Sequence, residues 1–221
     1  MSASGQEKIG DLLSSSITRD FLLNLEQMIP SALERVRKFG DGFLAGHRPS
    51  VLGQVRHFAL NEALVHCLDE CGLPHPPLRG NAIMVGKVGL VSLARVHMGQ
   101  SQWDNSRRSK TKVKLCKPNY LAKRLVNPDM FEDEPLIEDI PEITAFIVTE
   151  GDGANGIAPI YIVVPDETMD LRNPVFKEDL PVFMRRYQRS QDVVDKAFSK
   201  LKAGVKKLDK QGNDDGTELT P

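Results

Sequence analysis

The stretch richest in chemically useful side chains is Ser-Gln-Trp-Asp-Asn-Ser-Arg-Arg-Ser-Lys-Thr-Lys-Val-Lys-Leu, residues 101–115. It combines cations that displace counterions along phosphates, an indole flat enough to stack on a base, and Asn and Ser as hydrogen-bonding groups. Read as a strand, residues 110–115 place Lys110, Lys112 and Lys114 on one face and Thr111, Val113 and Leu115 on the other. A hairpin with a strand over 90–98 would set Arg95 and His97, which share a parity, beside that lysine row, with Trp103, Arg107 and Arg108 in the connecting loop. This spacing predicts a nucleic-acid-binding face made of Arg95, His97, Trp103, Arg107, Arg108, Lys110, Lys112 and Lys114. The same residues also suit a solvated edge strand guarded by lysines, or a face docked to an acidic surface, including one of the protein's own.

The charges around that stretch are segregated along the chain. Residues 1–77 carry 7 basic and 9 acidic side chains, 78–124 carry 11 and 1, 125–171 carry 0 and 12, and 172–221 carry 11 and 8. A block of net +10 is therefore followed at once by one of net −12. Within the acidic block, Glu132, Asp133, Glu134, Glu138 and Asp139 form a candidate partner-binding band. Carboxylates beside a basic groove can also hold Mg²⁺ for nuclease chemistry, and Glu142 and Asp166 are the pair that strand pairing would bring together. The block contains no lysine to complete an acid-then-Glu-x-Lys pattern, so no metal site is assigned.

Other motifs carry less. Gly-Asp-Gly-Ala-Asn-Gly, residues 151–156, spells the dinucleotide fingerprint, but an apolar strand follows where that motif needs a helix N-terminus; the segment reads as a hairpin loop. Cys67, Cys71 and His75 lie four apart and lack a fourth ligand. His47, His57 and His66 have no nucleophile signature around them and read as ordinary helix residues. No catalytic residue and no cofactor is called for.

The elements that must position these residues follow from periodicity. Apolar residues from Phe21 to Val36 recur at three and four, predicting a helix over 18–39 with Pro30 as a bend or break. Ser50 is a candidate N-cap for a second helix to Cys71, with Leu52, Val55, Ala59, Ala63 and Cys67 as its stripe and Gly72 and Pro74 ending it. Residues 82–98 read as strands, with Gly-Lys-Val-Gly at 86–89 as a turn or bulge. The apolar runs 143–149 and 157–164 read as a buried antiparallel pair. A closing helix is expected over 181–208. Its Val194, Phe198, Leu201, Val205 and Leu208 are spaced four, three, four, three, as in a coiled-coil seam, which makes Phe198, Leu201 and Val205 candidate oligomer or partner contacts.

The chain has 221 residues, 40% apolar and 27% charged, with 29 basic against 30 acidic side chains. That suffices for one buried core and excludes a chain built to attract polyanions globally. Three cysteines make no disulfide framework, and the sequence has neither a secretion signal nor a membrane span, so a cytoplasmic location is expected. The whole predicts an α+β domain over 11–210, disordered ends at 1–10 and 211–221, and a mixed or antiparallel sheet of about five strands behind two N-terminal helices. The function expected is nucleic-acid interaction without catalysis. A protein-interaction or assembly module of regulatory, immunity or antitoxin type, with a second copy (a homo-oligomer) or another protein as partner, is the alternative; a metal-dependent nuclease is the third.

Overall fold

A computed structural model describes residues 5–99, 102–103, 105–127, 136–151 and 158–189. The chain divides into a unit of residues 1–188 and a unit of 189–221, and all of the second but Arg189 lies outside the described residues.

The fold is α+β, with a mixed sheet of five strands in the order β1-β2-β3-β4-β5. These are Val85–Val88, Val91–Met98, Ile143–Glu150, Ile160–Val164 and Phe176–Asp179. β2 and β3 run parallel, and every other neighbouring pair is antiparallel. β3 is buried on both faces, which explains why its sequence reads as an unbroken apolar run. On one face Val91, Leu93, Ile143, Ala145, Ile147 and Ile162 join a core with three N-terminal helices: α1 (Gly5–Ser16), α2 (Arg19–Gly40) and α3 (Arg48–Glu70). On the other, Ala94, Val96, Met98, Phe146, Val148 and Val163 pack with Cys116, Met169 and Leu171.

The two predicted helices are present with shifted starts and an unbroken middle. Thr18 caps α2, its hydroxyl accepting from Phe21 N at 3.4 Å, and the helix runs through Pro30. α3 begins two residues before the expected cap: Pro49 occupies its first turn, and Ser50 lies inside it. The expectation that residues 1–10 lie outside the fold is corrected from Gly5 onward, because α1 buries Ile9 and Leu13 completely. Gly10 of α1 lies against the guanidinium of Arg186. That group donates from Nε to Glu178 Oε2 at 3.0 Å and from Nη1 to Asp11 Oδ1 at 3.0 Å. A Cβ at position 10 would collide with this anchored group, so Gly10→Ala is expected to destabilise the protein by about 1–2 kcal/mol despite its better helix propensity. Thermal unfolding checks this.

The largest correction concerns 110–115. The segment is not a strand: Lys110–Cys116 is a helix, α4, whose first turn is capped by Ser109 Oγ accepting from Lys112 N at 3.4 Å. Seven residues are too few to separate a period of two from one of 3.6, and lysine favours helix over strand. With α4 helical, β2 pairs with β1 and β3 instead of with 110–115, and the fifth strand is β5. The turn between β1 and β2 falls on Gly89 and Leu90, with Gly89 at φ 58°, within reach of the turn expected at 86–89. β3 and β4 form the antiparallel pair expected of the two apolar runs.

The crossover from β2 to β3 passes through α4 and α5 (Tyr120–Val126), joined by the fully buried Asn119. Its amide donates to the carbonyls of Thr144 at 2.9 Å and Pro165 at 2.8 Å, and its Oδ1 accepts from Thr144 N at 2.7 Å. Short helices α6 (Leu180–Met184) and α7 (Arg186–Arg189) follow β5. The rest of the expected closing helix, with Phe198, Leu201 and Val205, lies outside the described residues. Among the described residues no helix is long and apolar enough to cross a membrane.

Candidate functional site

The sheet creates its own opening. β1 ends at Val85, opposite Ala94, so Arg95–Met98 continue β2 with a strand partner on the β3 side only. Arg95 and His97 share one face there, as their parity requires, and point toward the N-terminal half of α3. α3, the end of β2, residues 81–83 and the start of α4 line a half-open cavity of about 660 Å³. Its polar lining includes Arg56, His57, Asn61, Arg95, His97 and Lys112.

Arg95 is its centre. Nε donates to Asn61 Oδ1 at 2.9 Å, while Nη2 lies 3.1 Å from His57 Nδ1 and also donates to the His57 carbonyl. Because a guanidinium only donates, His57 Nδ1 must be the acceptor nitrogen. Asn61, 2% exposed, is held in turn by its amide donating to the Ala82 carbonyl at 3.2 Å. Arg56 repeats the arrangement on His97: Nη1 lies 3.1 Å from Nε2, leaving Nδ1–H to donate to Thr149 Oγ1 at 2.9 Å. Lys112 enters from α4, close enough to Arg95 for the two charges to repel.

The electrostatics are unusual for a protein interior. No carboxylate lines the cavity among the described residues, and every described partner of Arg95 is neutral. Desolvation alone pushes the Arg95 guanidinium down to about 10, still charged at neutral pH. Burial and then Arg95 lower Lys112; burial and then Arg95 lower His57, against an upward pull from the Asn81 backbone and with a smaller lowering by Lys112. A like-charged, desolvated cluster costs folding energy until an anion enters it.

His57 gives this a pH signature. Its folded pKa is depressed below the ordinary imidazole value, so the unfolded chain binds more protons once pH falls past that value. Stability should therefore be lost as pH drops through the ordinary histidine range toward the lowered pKa, and His57→Gln should remove that part of the loss. His75 works in the opposite sense: Asp69, 2.8 Å away, raises it, adding stability below the ordinary value that is lost as pH rises through the raised pKa. The difference between wild-type and His57→Gln denaturation profiles against pH isolates the His57 contribution.

Of the residues read from sequence, Arg95, His97 and Lys112 come together here. Lys110, Lys114 and Arg108 are exposed on the segment leading into and along α4. Arg107 pairs with Asp170 at 2.8 Å. Trp103 is not an open stacking platform: its indole N–H donates to Glu150 Oε1 at 2.9 Å, Tyr161 packs edge-on, and Lys177 Nζ lies 3.7 Å from its ring centre. The site residues missed by sequence reasoning are Arg56, His57 and Asn61. The available signal was the polar pair His57 and Asn61, one helical turn apart beside an apolar stripe.

The acidic block meets the basic one inside the molecule. Lys87 pairs with Glu142 at 3.2 Å, while Lys123 pairs with Asp166 at 3.4 Å and Glu167 at 3.0 Å. Glu142 also accepts from Ser92 Oγ at 2.7 Å, so it and Asp166 serve different cations instead of forming the metal pair considered from sequence. Glu138 and Asp139 are exposed; Glu132, Asp133 and Glu134 lie outside the described residues. Cys67 is buried and its thiol is pushed up to about 12 by that burial, while His75 is occupied by Asp69. No cluster of three metal-binding side chains occurs among the described residues. The chain matches no protein-family model, no curated protein and no solved structure.

Proposed function

We propose that the protein binds nucleic acid by taking phosphate into the cavity of Arg95 and Lys112, with exposed cations beside it adding non-specific attraction. The observation that carries this reading is that Arg95 and Lys112 line the same cavity, both partly withdrawn from solvent, with no carboxylate partner among the described residues. The neighbouring acidic segment neutralises Lys87, Arg107 and Lys123 and leaves these two to a ligand. His57 and His97 hold the guanidiniums in place by accepting from them. Arg108, Lys110 and Lys114 supply the surface component, whose removal should lower the salt slope by about 0.7–0.9 per lost phosphate contact.

Lys112→Met tests the reading with two measurements of opposite sign. Removing a charge that repels Arg95 should raise the unfolding midpoint by a few degrees, about 1 kcal/mol, while phosphate binding falls roughly tenfold. A variant that gains stability and binds a short oligonucleotide undiminished would contradict the reading. Among the described acidic residues, the exposed Glu138 and Asp139 are available to the alternative reading as an interaction module, whereas Glu142, Asp166, Glu167 and Asp170 have internal cations.

A further inference from the structure

We infer that the cavity takes a terminal phosphate monoester, the phosphorylated end of a strand or a nucleotide, in preference to an internal phosphodiester. The inference rests on the phosphate-binding reading above and adds the kind of phosphate.

Three features point this way. The first is shape. Cationic side chains line it from three elements, α3 through Arg56, β2 through Arg95, and α4 through Lys112. In a recess lined from three sides a terminal phosphate enters through the open side, whereas an internal one has to bring its chain in and out through that same opening. The volume of about 660 Å³ lies in the range of small-molecule pockets, large enough for a nucleotide and far larger than a phosphate alone.

The second is charge. A diester brings one negative charge; a monoester near neutral pH brings close to two, its second ionisation lying near pH 6. Arg95 and Lys112 are two adjacent cations whose mutual repulsion a single charge would only half relieve. The third is what the lining lacks. Among the described lining residues there is no Trp, Tyr or Phe on which to stack successive bases, and Trp103 is engaged with Glu150 and Lys177 elsewhere. Recognition is therefore centred on the phosphate, with Asn81, Ser109 and Thr111 as hydrogen-bonding groups for the sugar beside it.

The test is calorimetric titration of the full chain, at fixed salt, with a short oligothymidylate bearing a 5′-phosphate, the same strand ending in a 5′-hydroxyl, one bearing a 3′-phosphate, and thymidine monophosphate. At least one phosphorylated end should bind about tenfold or more tightly than the hydroxyl end, and Lys112→Met should erase that difference. Thymidine monophosphate binding as well as the phosphorylated strand would support the monoester and assign it to free nucleotides. Much weaker binding would support it and assign it to strand ends. If all strands bind alike and Arg95→Met weakens them alike, the terminal preference is overturned and phosphate binding at the cavity stands. If no probe binds, or Arg95→Met changes nothing, both are overturned.

Discussion

Arg95→Met should lose binding of a phosphate-ended strand by about 30-fold or more, the consequence of removing a charge-assisted contact worth at least about 2 kcal/mol in a desolvated site. The size follows from what the guanidinium does. It is a planar donor already held by Asn61 Oδ1 and the His57 carbonyl, so its geometry is set before the ligand arrives and little ordering remains to oppose binding. Stability should respond much less, because one term offsets another: a desolvated charge disappears, while the Asn61 and His57 oxygens lose their donor. Arg95→Lys separates charge from shape. An ammonium keeps the charge but cannot reach Asn61 and the His57 carbonyl with one rigid fork, so it should recover only part of the affinity. Titrations of the three proteins, with thermal melts on the same samples, check both statements. An Arg95→Met protein that melts normally and binds normally would remove the cavity from the account.

The largest expected loss of stability lies elsewhere, at Asn119. Its side chain bridges Thr144 at the start of β3 and Pro165 just after β4, donating to both carbonyls and accepting from Thr144 N, all within 2.7–2.9 Å. Asn119→Leu keeps the branched outline of the amide and strands one N–H and two carbonyl groups in a fully buried place. At about 1–3 kcal/mol for each buried group left unmet, partly relieved by relaxation, the expected cost is about 3–5 kcal/mol. Asn119→Asp is also expected to be severe, since a carboxylate offers no donor to either carbonyl and would carry charge into the core. Chemical denaturation measures the cost. Because Asn119 ties the crossover carrying α4 to the sheet, the same variant should also loosen Lys112 from the cavity.

These two residues show what the sequence could and could not convey. β3 and β4 were legible because strands buried on both faces need apolar residues at every position, and α2 and α3 because long stripes at three and four fit nothing else. The common face of Arg95 and His97 was legible from parity alone. α4 was not, because Lys-Thr-Lys-Val-Lys-Leu satisfies a strand pattern over a length where a helix shows less than two turns, and only the Ser109 cap and the helix propensity of lysine argue otherwise. His57 and Asn61 gain their meaning from tertiary closure. On α3 alone they are a polar pair on a helix, and they become a site only because β1 stops opposite Ala94 and exposes Arg95 to them. The charge segregation was visible in the chain, but which cations the acidic block would neutralise was not. Lys87, Arg107 and Lys123 found carboxylates; among the described residues Arg95 and Lys112 did not.

That residual pair is the core of the account, and side-chain nuclear magnetic resonance reports on it directly. Imidazole nitrogen signals of His57 and His97 and the Nε–H signal of Arg95 can be followed while a 5′-phosphorylated oligothymidylate is added to the full chain. The expected result is saturable movement of all three along one binding curve, with the His57 Nδ1 signal changing most because its guanidinium donor is drawn to the phosphate. Binding that leaves these three signals still, with shifts confined to Arg108, Lys110 and Lys114, would contradict it.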